Sequence, residues 1–221
     1  MSQLAAALRK EAMLQWRTRV QLAAVFVFGA TSLLLFSFAI GPNSEALRLH
    51  AAGFLWLALL LSSTLTLAES FQGEMEQRAF EGLLLLPASP TSLFFGKALS
   101  NLAQLTLLGV GLVPVMIVLY DAVTVRVGGL LVIIVLGAAG LSAPGTLYAA
   151  MTSQARAKQT LLPLLLFPLV VPVLLAAVKA TSLLILGDPM EQMRDWALLL
   201  VAFDGVHWSL CGLLFGRVVE D

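Results

Sequence analysis

Long apolar runs alternate with short polar interruptions along the whole chain. Crossing about 30 Å of hydrocarbon takes about 17–25 helical residues. Six runs are long enough: about residues 20–40, 51–68, 99–119, 127–150, 161–178 and 196–215. Turn residues break several of them apart, at Gly41-Pro42-Asn43, at Pro87 to Pro90 and at Gly187-Asp188-Pro189. Ser89-Pro90 reads as an N-cap followed by proline at the first helical position, so the third run should belong to a longer helix starting near Pro90. No internal repeat and no linker marks a second domain. The pattern predicts an all-α integral membrane protein, one transmembrane domain over residues 1–221 with six membrane-spanning helices.

Two polar flanks add to that picture. "SQLAAALRKEAMLQWRTR" precedes the first span, with Leu4, Leu8, Met13 and Trp16 against Arg9, Lys10, Arg17 and Arg19. A basic amphipathic helix with a tryptophan is expected to lie in the membrane interface. With a 19-residue leader, a long apolar run and no A-x-A site after it, the first span is read as a resident helix, not a cleavable signal. "ESFQGEMEQRAFEGLLLLPASP" follows the second span. It holds four carboxylates, Glu69, Glu74, Glu76 and Glu81, among apolar Phe71, Met75, Phe80, Leu83 and Leu84. A short helix here would offer apolar knobs and carboxylates to another protein.

Composition agrees with a lipid-solvated chain: 59% hydrophobic, 12% charged, mean hydropathy +0.94. A soluble globule carries about 25% charged residues. Formal net charge is zero, which argues against a nucleic-acid partner. An even number of spans puts both termini on one face. That face would hold nine Lys or Arg (Arg9, Lys10, Arg17, Arg19, Arg78, Lys97, Arg156, Lys158, Arg217) and the other four (Arg48, Arg126, Lys179, Arg194). The positive-inside rule then places both termini in the cytoplasm. Cys211 is alone and reads as a small apolar packing residue.

Candidate chemistry is sparse. There is no G-x-x-x-x-G-K-[ST], so the chain has no P-loop of its own, and no Cys/His cluster suggests a metal. His50 sits at the outer mouth of the second span as an interfacial polar residue; a lone histidine is weak evidence for a haem ligand. Asp204 and His207 lie deep in the sixth span, three residues apart on one helix face, where a hydrogen bond between them would offset part of the cost of burial. Ser142 in "GLSAPG" together with His207 suggests an intramembrane serine protease of the rhomboid kind. However, Ala143 stands where that family needs glycine, and nothing announces an oxyanion hole. Pro163, Pro168 and Pro172 interrupt the fifth span, each at about 3 kcal/mol in an ordinary helix interior.

Taken in order, "FAIGP", "GFLWLALLLSSTLTLAESFQGEMEQRAFEGLLLLPASPTSLFFGKAL", "SAPGTLYAAMT" and "LLPLLLFPLVVPVLLAA" resemble the haem exporter protein B (CcmB) family. That family is the permease subunit of the ABC transporter of c-type cytochrome maturation. The resemblance covers nearly the whole chain and is strongest from about residue 38 to 177. It implies an ABC-2-like permease in the bacterial inner membrane, with an interfacial amino-terminal helix and a coupling helix in the loop after the second span. Glu69, Phe71, Glu74, Met75, Glu76, Phe80, Glu81 and Leu83 would meet an ABC ATPase subunit there. It further implies haem-handling membrane partners, room for a second permease copy, haem as candidate substrate, ATP bound by the partner only, and no covalent cofactor or metal. Pro144, Pro163, Pro168 and Pro172 would then serve as kinks at which the permease gives way. An enzyme activity is not expected. The rival reading is an ABC-2-like permease exporting a lipid, polysaccharide or drug. Asp204 and His207 are not features of the family's pattern.

Overall fold

A computed structural model describes residues 19–70, 90–122, 126–153 and 158–220. These residues form six helices: α1 (Arg19–Ile40), α2 (Ser44–Glu69), α3 (Pro90–Tyr120), α4 (Val127–Thr152), α5 (Lys158–Leu186) and α6 (Met193–Glu220). All six are long and apolar enough to cross a membrane. Each predicted span lies inside one helix, and the helices overrun the spans. At 1.5 Å per residue, the 31 residues of α3 extend about 46 Å, well beyond a hydrocarbon layer. The expected amino-terminal helix and the Ser89 cap lie outside the described residues.

Local chemistry sets the helix ends on the side away from the termini. Gly41 takes φ +79°, a left-handed conformation that ends α1, and its N–H donates to Ser37 O at 3.1 Å. Two residues later Asn43 caps α2, its Oδ1 accepting from the Ala46 N–H at 3.0 Å. Gly187, at φ +104°, ends α5 in the same way. Asp188 then accepts from the Gln192 and Met193 N–H groups at 2.8 and 2.9 Å, satisfying donors at the start of α6.

α4 stands in the middle. It packs on α2, α3, α5 and α6, while α1 packs outside, against α2 and α3. The reason is size. Gly137, Ala138, Gly140, Ser142, Ala143 and Gly145 on α4 are all buried or nearly so, and small residues let helix backbones approach closely. Large neighbours fill the space they leave. The Trp56 ring of α2 lies over Gly137, Leu67 over Gly145, and Val173 of α5 over Gly140. Trp56 is 1% exposed and donates its Nε1–H to Thr181 Oγ1 of α5 at 2.9 Å. A second core joins α1, α2 and α3 around Leu33, Leu55, Leu112 and Met116. Tyr120 donates its hydroxyl to Leu33 O at 2.6 Å, tying the end of α3 to α1.

Outside the bundle, the exposed side chains are themselves apolar: Phe28, Leu35 and Phe38 on α1, Leu164 and Val171 on α5, Leu210 and Leu213 on α6. In water this would be a large exposed apolar surface; in a bilayer it is the normal exterior.

Candidate functional site

Two polar features interrupt this apolar structure. The first begins at the end of the bundle where α2 finishes and α3 starts. Glu69, the last residue of α2, is exposed, and Ser70 follows as its C-cap. Lys97, two turns into α3, is only 6% exposed, and its Nζ donates to Ser70 O at 2.6 Å. A buried ammonium is tolerable here because it meets the free carbonyls and negative pole of a helix C-terminus. Lys97 therefore fixes the point at which the chain leaves α2. In the sequence Lys97 counts only in the charge tally. Its place two turns inside an apolar helix was the available signal.

The feature continues toward the membrane centre as a seam between α3 and α4. Ser142 Oγ donates to Ala98 O at 2.5 Å. Asn101 Nδ2 donates to Thr146 Oγ1 at 2.8 Å, and Thr146 Oγ1 donates to Ser142 O at 2.7 Å. Asn101, Ser142 and Thr146 are all buried, so these bonds satisfy groups that water cannot reach. They also occupy Ser142. Its hydroxyl is committed to a backbone carbonyl at 0% exposure, not paired with a histidine as a protease nucleophile would be.

The second feature is at mid-membrane on α6. Here the expected Asp204–His207 hydrogen bond is not formed. His207 Nδ1 instead lies 2.9 Å from Phe203 O, one turn back, and its ring stacks on that of Phe203 with centroids 3.6 Å apart. The backbone acceptor at i−4 and the aromatic face together hold the imidazole away from Asp204. Both carboxyl oxygens of Asp204 are buried without a hydrogen-bond partner. Oδ1 lies 3.1 Å from where a Cβ on Gly140 of α4 would stand.

The four kink prolines do not form one group. Pro144 is buried in α4, whereas Pro168 and Pro172 are exposed on the outer face of α5 and Pro163 is intermediate. α5 stays helical from Lys158 to Leu186 through all three of its prolines. A further one, Pro114, lies inside α3 and, standing alone, does not mark its span as the three in α5 do. His50 is exposed at the start of α2, 6.0 Å from the Phe54 ring. Phe71, Glu74, Met75, Glu76, Phe80, Glu81 and Leu83 lie outside the described residues. Among the described residues, no group of three or more His, Cys, Asp or Glu could hold a metal ion.

Comparison with known proteins is consistent along the chain. A family model described as CcmB protein matches residues 2–219. Heme exporter protein B of Pseudomonas aeruginosa is 31% identical over 195 residues, 88% of this chain and 87% of that protein. Heme exporter protein B of Bradyrhizobium diazoefficiens is 29% identical over 194 residues, 86% of each chain. The protein of the same name from Rhodobacter capsulatus is 34% identical over 141 residues, 64% of this chain and 65% of its own.

Proposed function

This chain belongs to the CcmB family, and from that premise we propose that it is the transmembrane subunit of an ABC transporter complex for c-type cytochrome biogenesis. The observation that carries the reading is the end-to-end family match, residues 2–219, to relatives named for haem export. In this reading a partner subunit binds and hydrolyses ATP, since the sequence contains no P-loop. Haem is the substrate, exported or released from a chaperone, and the chain itself is non-catalytic. Other haem-handling membrane subunits complete the assembly, with room for a second permease copy. Both termini face the cytoplasm of a bacterium, as the nine-to-four distribution of Lys and Arg favours.

ATP-driven work must then enter through a cytoplasmic contact. The segment from Glu69 to residue 86 suits that role, because it combines apolar Phe71, Met75, Phe80 and Leu83 with Glu69, Glu74, Glu76 and Glu81. Apolar anchors carry most of an interface's affinity, and rim charges mainly set orientation and association rate. In a pull-down of the ATPase from detergent extracts, Phe80→Ala should therefore reduce retention more than Glu74→Ala. A segment with its glutamates reversed to lysine and its apolar residues truncated should lose the ATPase altogether. Retention at the wild-type level, with equal permease expression, would refute this docking surface.

The outer prolines of α5 give a separate expectation. Pro168→Ala with Pro172→Ala restores helix donors to the carbonyls of Leu164 and Pro168 and should not impair insertion. If the bends let α5 move, the doubly substituted complex should assemble normally yet mature cytochromes several-fold more slowly. An unchanged maturation rate, read by haem staining, would make the prolines static.

A further inference from the structure

Asp204 is a buried carboxyl in the membrane that nothing above employs. It sits where α4, α5 and α6 meet: Gly140 of α4 is crowded by both Val173 of α5 and Asp204 Oδ1. No cation faces it. α4 carries no charged residue between Val127 and Thr152. On α5, Lys179 is exposed and lies six residues beyond Val173 toward the far end of the helix. On α3, which also packs against α6, Lys97 is bonded to Ser70 O at the end of the bundle. On α6 itself, His207 is held by Phe203 O, Cys211 is two turns away, and Arg194 and Arg217 are near the helix ends.

A backbone acceptor short of its usual donor lies nearby. Pro144 has no N–H, so the carbonyl four residues back, that of Gly140, lacks its usual helix donor. Buried acceptors without donors are rare, and in lipid the partner must come from the protein. Gly140 is also where Asp204 comes close to α4, its Oδ1 3.1 Å from the position a Cβ would take. We propose that Asp204 is a positioning residue which, as a neutral carboxylic acid, donates its hydroxyl hydrogen to the Gly140 carbonyl and so fastens α6 to the Pro144 bend of α4. One hydrogen bond then gives the Gly140 carbonyl a donor and one of the two Asp204 oxygens a partner. It also gives Gly140 a second reason to be glycine, since a side chain there would displace the carboxyl. The fastening lies on the other side of α4 from the seam, since Ser142 and Thr146, two residues to either side of Pro144, bond to α3.

The arrangement makes Asp204 and Pro144 interdependent, and that is the test. Infrared spectra of the purified permease at neutral pH should contain a protonated-carboxyl C=O stretch that disappears in Asp204→Asn. If no such band is lost, Asp204 is ionised and the proposal fails. Asp204→Asn, which keeps a donor of the same shape, should retain wild-type thermal stability in detergent, whereas Asp204→Ala should melt several degrees lower. Pro144→Ala returns an N–H to the Gly140 carbonyl. In that background Asp204→Ala should cost less than half as many degrees as in the wild type, and the carboxyl band should move to the higher frequency of a weaker hydrogen bond. Equal losses in the two backgrounds, or an unmoved band, would overturn the link between Asp204 and the Pro144 bend. None of these readings uses transport, so they stand or fall independently of the proposed function.

Discussion

Gly137→Ala should be among the most damaging single-atom additions available in this protein. The new Cβ would stand 2.1 Å from Cη2 and 2.5 Å from Cζ3 of Trp56, separations no pair of carbons tolerates. Relief requires the indole to move. But the ring is 1% exposed, and its Nε1–H is held by Thr181 Oγ1 at 2.9 Å. Overpacking a core costs about 1–3 kcal/mol, and losing a buried hydrogen bond adds about 1 kcal/mol. Since α2, α4 and α5 all meet there, the substituted protein is expected to assemble poorly and to melt many degrees lower in detergent. Gly128→Ala is the internal control, because its Cβ would meet nothing within 4 Å near the start of the same helix. Trp56→Phe, a smaller ring, should restore part of the loss in the Gly137→Ala background. If both glycine substitutions gave wild-type melting, the close packing of α2 on α4 would be wrong.

That site also shows why hydropathy reveals spans but not their arrangement. Lipid and protein core are equally apolar, so a helix that faces one reads like a helix that faces the other. α1 and α4 are both apolar around their whole circumference, yet α1 lies at the edge and α4 at the centre. What distinguishes them is side-chain volume. The stretch from 137 to 145, seven of whose nine residues are Gly, Ala or Ser, was the legible mark of a central helix. The expected contact between Asp204 and His207 failed for a related reason. A spacing of three residues places two side chains on one face but does not choose their partners. His207 has a backbone acceptor and an aromatic ring on its own helix, nearer than the carboxyl. The prolines were read as one set because they are one residue type. The structure divides them by burial, with Pro144 inside and Pro168 and Pro172 outside.

Lys97→Met should separate binding of the ATPase from use of its energy. Methionine preserves the length and apolar stem of the buried side chain while removing the ammonium that bonds Ser70 O at 2.6 Å. A charge-assisted hydrogen bond contributes about 1.5–3 kcal/mol, or about tenfold or more in how often its geometry is occupied. In the proposed complex, Ser70 is where the ATPase-facing segment joins α2. Lys97 makes any displacement there act on α3, and the Ser142 and Asn101 bonds pass it to α4. Without the ammonium the segment still presents its own side chains, so ATPase retention in a pull-down should stay near wild type. Cytochrome maturation per ATP hydrolysed should fall by about tenfold on the same scale. Lys97→Arg, which keeps a cation and donors, should recover much of it, although the larger planar head will not seat identically. Loss of ATPase retention in step with maturation would reduce Lys97 to a structural support of the docking segment. Unchanged maturation per ATP in Lys97→Met would remove it from the route by which force reaches α3, leaving the amino-terminal segment or residues 151–160 as the point of entry.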